Sequence, residues 1–210
     1  MPEERRLPDF LEALGSGAPT PGGGAASAVA GALAAALAEM VANFTVGRPK
    51  YAEVEAGMRA IVARARTMRE RLLALAEDDE RAYAQVSAAY KRPKATDEER
   101  DAREGAIQAA LRAAMQPPLE VMRLACDAVE MAGDVAASGN ATVVSDAGCA
   151  ALLGEAAVRA AALNVLANVA LLKDAAAAEE GRQAVARLEE RAASLREHTM
   201  AAVHARMGLA

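Results

Sequence analysis

Few residues in this 210-residue chain have the types and spacing of familiar catalytic machinery. Its two histidines, His198 and His204, fall about 120° apart around a helix of ~3.6 residues per turn, so they do not share a face. There is no Glu-x-x-His pair for a di-iron bundle. The thiols Cys126 and Cys149 form no Cys-x-x-Cys, and neither a Gly-x-Ser-x-Gly elbow nor a Gly-Lys-Ser/Thr phosphate loop occurs. The sequence therefore predicts no metal and no resident cofactor. What remains is acid, amide and glycine chemistry. Asp79 shares a three- and four-residue stripe with Tyr83, Val86 and Tyr90 that points into "KRPK", residues 91–94. Asp146 sits in "GNATVVSDAG", in the first turn of a helix, where the dipole favours a carboxylate as a simple cap. Asn164 and Asn168 lie on one face of an otherwise apolar helix, either as a satisfied buried pair or as a polar lining for a ligand. Pro21 leads into Gly22, Gly23 and Gly24 at a helix N-terminus. Free N–H groups there favour an anion or a polarised oxygen, and the alternative is tight helix packing.

These residues need elements to hold them. The chain is 53% hydrophobic but only 2% aromatic, and alanine makes up much of the difference. Alanine is the strongest helix former, and a core without bulky side chains requires closely approaching helices. The predicted fold class is all-α: a single-domain antiparallel helical bundle over residues 1–210, with long kinked helices. A short opener is expected over 8–14 and a core helix over 23–46, stopped by Gly47 and Pro49. A long helix follows over 51–90. Thr96 and Glu99 form a capping box for the next helix, which Pro117 and Pro118 interrupt and which restarts at Pro118. Ser145 is expected to cap a helix reaching about residue 173, and a charged helix covers 176–206. The uncharged run 22–38 ends at Glu39 and is short of the ~20 strongly apolar residues a bilayer needs, so it reads as a core helix. A net charge of -5 argues against a general nucleic-acid or membrane-surface binder. Isolated thiols with no signal peptide point to a reducing cytoplasm.

Distance limits what one helix can do. Asp146 and Asn164 lie on the same face but ~27 Å apart at ~1.5 Å per residue, so one straight helix cannot present both to a small ligand. Either a long ligand meets both, or one is structural, or a second copy supplies one of them.

Four stretches carry a resemblance: "PTPGGGAASAVAGALAAALAEMVANFTVGRPKY", "AEDDERAYAQVSAAYKRPKATDEER", "MQPPLEV" and "SGNATVVSDAGCAALLGEAAVRAAALNVLANV". In this order, over about residues 10–174, they resemble the cyclodeaminase/cyclohydrolase family. That family comprises the C-terminal domain of formimidoyltransferase-cyclodeaminase and stand-alone methenyltetrahydrofolate cyclohydrolases. The resemblance implies an all-α fold, a homodimer or higher assembly, and folate one-carbon chemistry without a metal. A chain of stand-alone size looks like the cyclohydrolase, which hydrolyses 5,10-methenyltetrahydrofolate to 10-formyltetrahydrofolate. The alternatives are 5-formimidoyltetrahydrofolate cyclodeaminase, which releases ammonia, and a non-catalytic helical scaffold. On this reading Asp79 and Asp146 are the catalytic carboxylates, with the choice of base open, and Lys94 is the proton donor or oxyanion stabiliser. Pro21, Gly22, Gly23, Gly24 and Tyr83 line the substrate, while Asn140, Asn164 and Asn168 hydrogen-bond the pterin edge. Arg48, Lys50, Lys91 and Arg92 are candidates for its glutamate carboxylates.

Overall fold

The computed structural model of the chain describes residues 6–209. Among the described residues seven α-helices follow one another: α1 (Leu7–Leu14), α2 (Gly23–Thr45), α3 (Glu55–Tyr90), α4 (Asp97–Ala114), α5 (Gln116–Ser138), α6 (Val144–Val169) and α7 (Ala175–Met207). Short 3-10 turns, Pro49–Val54 and Ala141–Val143, lead into α3 and α6. No strand forms among the described residues.

At the centre lies α2, whose buried residues are almost all Gly, Ala or Ser, with Val41, Glu39 and Thr45 toward its end. Small side chains let its neighbours come close. A Cβ on Gly31 would sit 3.3 Å from a Leu72 methyl of α3. On α6, a Cβ on Gly154 would sit 2.5 Å from Val129 of α5 and 3.6 Å from Ala34 of α2. The core is thus a set of close crossings with Leu72, Leu75 and Met122 filling the gaps between helices. Both α2 and α6 have the length and composition to cross a bilayer, yet most of the apolar window of α2 is buried in the fold.

Contacts at the helix ends fix the directions. Gly23 meets Asn164 late on α6, and the residue after Gly139, at the end of α5, bonds Thr45 at the end of α2. So α6 runs antiparallel to α2, and α5 runs parallel to it. Meanwhile α3 is far longer, 36 residues against 23. At ~1.5 Å per residue its last eleven residues carry it ~16 Å beyond Asp79. There α4 folds back on it, and Ala89, Ile107 and Leu111 make a small core of their own with Leu172 beneath.

Several boundaries differ from the sequence expectation for physical reasons. The capping box forms as expected, with Glu99 N–H donating to Thr96 Oγ1 at 3.2 Å. The break before α5 comes earlier than expected, because Pro117 and Pro118 sit in its first turn, where no backbone donor is needed. Ser145 is not a cap. It lies inside α6, and the chain enters that helix through the 3-10 turn, which Asn140 caps by accepting from Thr142 N–H at 3.1 Å. The final helix is capped by Asp174, which accepts from Ala176 and Ala177 N–H.

Candidate active site

The first turn of α2 has no side-chain cap of its own. A carboxylate from another helix takes that place. Asp79 of α3 lies against the backbone of Gly24, so close that a Cβ on Gly24 would overlap both carboxylate oxygens and Cγ. Half-burial is the main influence on this group and pushes its pKa above the ordinary carboxylate range. The negative charge of Glu80 adds to the rise, and the Ala25 N–H partly opposes it by favouring the ionised form. Beside the same turn stands Asn164, whose amide is 3.6 Å from where a Cβ of Gly23 would be. Its Nδ2 donates to Ala160 O at 2.9 Å, and Asn168 Nδ2 donates to Asn164 O at 2.9 Å, so both side-chain amides are tied to the backbone of their own helix. Pro21, which follows a cis peptide bond, is buried just before these glycines. Tyr83, one turn beyond Asp79, is 47% exposed and overlooks this end. Pro21, Gly22, Gly23, Gly24, Asp79, Tyr83, Asn164 and Asn168 therefore belong to one end of the bundle.

The other candidates lie elsewhere. Lys91 and Lys94 are exposed at and beyond the tip of α3, and the Lys94 carbonyl accepts from Arg100. Asn140, Asp146 and Lys50 are at the far end of α2. From Gly24 to Thr45 the helix runs ~31 Å at ~1.5 Å per residue, so no single copy brings the two carboxylates together. Asp146 is half-buried in the first turn of α6 and makes no hydrogen bond or ion pair among the described residues.

Asn140 has a different occupation from the one its type suggests. Its N–H donates to Thr45 Oγ1 at 2.8 Å, its Nδ2 donates to Phe44 O at 3.0 Å, and its Oδ1 accepts from Thr142 N–H and Oγ1. Ala141 N–H donates to Tyr51 OH at 3.2 Å, which pulls that phenol below its usual pKa. Arg206 of α7 closes the knot by donating to Ala136 O and Gly139 O, each at 2.7 Å. Within one chain, Asn140 is a latch between α2, α5 and α6.

Sequence reasoning missed the partnership of Asp79 with Gly24. The signal available was a glycine run with no capping Ser, Thr, Asp or Asn at its head, which leaves the helix start in need of an outside acceptor.

The formiminotransferase-cyclodeaminase family profile matches residues 6–187. A methenyltetrahydrofolate cyclohydrolase of Methylorubrum extorquens is 44% identical over 180 residues, covering 86% of each chain. The formimidoyltransferase-cyclodeaminase of Rattus norvegicus is 34% identical over 183 residues, 87% of this chain and 34% of the rat protein. A crystal structure of formiminotetrahydrofolate cyclodeaminase from Thermotoga maritima superposes with a TM-score of 0.89 at 31% identity, over 98% of both chains. Through sequence and fold alike, the chain belongs to the formiminotransferase-cyclodeaminase family.

Proposed function

We propose that this chain is a methenyltetrahydrofolate cyclohydrolase, working as a single-domain cytoplasmic enzyme without a resident cofactor. The observation that carries this reading is the half-buried Asp79 carboxylate at the glycine start of α2, beside Asn164. The substrate's methenyl carbon is part of a cationic amidinium between N5 and N10. An anion beside it stabilises that charge, and the same anion accepts a proton as water adds to the carbon. A raised pKa brings the carboxylate nearer the working pH, which strengthens it as a base. The new C–O bond gives a tetrahedral carbon. Its collapse breaks the C–N5 bond, N5 takes up a proton, and the formyl group stays on N10. Asn164 and Asn168 supply amide edges for the pterin, while Lys91 at the tip of α3 suits the acidic tail of the substrate.

Assembly completes the site. On α2, Ala26, Ala30, Leu33, Leu37, Met40 and Phe44 recur at three- and four-residue steps along its less buried side, with Leu33 52% and Phe44 44% exposed. The stripe is uncharged, and Leu152 and Leu163 of α6 are also exposed. A second copy packed antiparallel on α2, with its two-fold axis near Leu33, covers that stripe. It also carries the partner's Asp146 and the partner's Lys50 to the Asp79 end.

Loss of methenyl absorbance with purified protein, measured against the uncatalysed rate, tests the assignment, and no acceleration overturns it. The likeness to the Thermotoga maritima cyclodeaminase supports a second reading, closure of 5-formimidoyltetrahydrofolate with release of ammonia through the same tetrahedral carbon. Ammonia release without methenyl hydrolysis establishes that reading instead.

A further inference from the structure

We propose that Gly24 is a positioning residue for Asp79: the side chain it lacks is the seat that the carboxylate occupies. This rests on the reading of Asp79 as the catalytic carboxylate. Gly24 is buried inside a regular helix, and its backbone is not left-handed; among the described residues only Gly47 and Gly208 are. Conformational freedom therefore does not explain the glycine, and space does. A Cβ at this position would overlap the Asp79 carboxylate itself. The other glycines of α2 differ. A Cβ on Gly23 would make an ordinary 3.6 Å contact with the Asn164 amide, and one on Gly31 would press a flexible Leu72 methyl at 3.3 Å. Ser27 anchors the seat from below, its Oγ donating to Gly24 O at 2.7 Å.

Removing the seat forces the carboxylate off the helix start and outward. Proton transfer is sensitive to such displacement, so Gly24→Ala is expected to lower kcat on the order of 10-fold or more, with a smaller change in KM. The Asp79 pKa, followed by side-chain carboxyl NMR in the intact protein, should fall back toward the ordinary value of 3.8 as the group gains water.

A double-mutant cycle on thermal stability tests the seat independently of any folate activity. Gly24→Ala should lower the melting temperature in the native background and leave it unchanged or higher in the Asp79→Ala background, where the space is vacant. If Gly24→Ala alone does not fold and the double variant does, the proposal is also supported. Equal losses in both backgrounds, or a double variant that fails to fold, overturn it. Coupling in the cycle without methenyl or formimidoyl turnover upholds the seat and rejects the functional reading instead.

Discussion

Both ends of α2 gather polar side chains from other parts of the fold and do opposite things with them. At its end, Thr45, Asn140, Tyr51 and Arg206 make hydrogen bonds that tie α2, α5, α6 and α7 together. At its start, Asp79 and Asn164 lie beside bare glycine backbone, and the carboxylate stays partly desolvated with a raised pKa. A saturated polar cluster rigidifies. A charged group held in a poor environment is less stable where it is, and better able to act on a substrate. The difference lies in what the neighbours leave undone.

Four experiments break or sharpen this contrast, beginning with the largest effect. Leu33→Glu places a charge in the middle of the exposed α2 stripe. It should convert the proposed dimer to monomers in analytical ultracentrifugation and abolish turnover. A monomeric parent protein removes the idea of a shared site. Next, Asp79→Asn should cost ~10²–10⁴ in turnover while leaving the fold intact. Its stability has a defined pH dependence. A carboxyl whose folded pKa lies above its unfolded value stabilises fully below about pH 3.8, and that contribution is lost as pH rises through the folded pKa. Asp79→Asn should therefore melt no lower than the parent at pH 7, with any advantage vanishing toward about pH 3. Calorimetry showing a large loss at neutral pH would make Asp79 a structural cap. At the opposite end, Thr45→Val removes the acceptor for the buried Asn140 N–H and should cost about 1–3 kcal/mol in chemical denaturation. It should not move the Asp79 pKa; a shift would join the two ends into one network. The smallest effect is expected at Gly57, on α3 with open space around its Cβ position. Gly57→Ala should add roughly 0.5–1 kcal/mol and touch neither end.

Much of the fold was legible because alanine richness, three- and four-residue apolar steps and the Thr96–Glu99 box are local signals. Helix entries were less so. The start of α6 depends on Asn140 bonding to Thr45 on a helix far away in sequence, so Ser145 looked like the cap from local pattern alone. The site was legible in residue type but not in grouping. Spacing along one helix ruled out a joint role for Asp146 and Asn164 within it, which the fold bears out. Nothing local told which helix Asp79 would face, because that depends on α3 passing the start of α2 at close range.

An interior made largely of alanine and glycine also has a lopsided response to variation. Ala28, Ala34, Ala35 and Ala38 are fully enclosed and have little bulk to lose, so trimming them leaves only minor voids. Enlarging them, or Gly154, drives neighbouring backbones apart and spreads misfit along whole helices. Drift in this protein is therefore channelled away from bigger inner residues, and its slender crossings should outlast changes to almost everything on the outside.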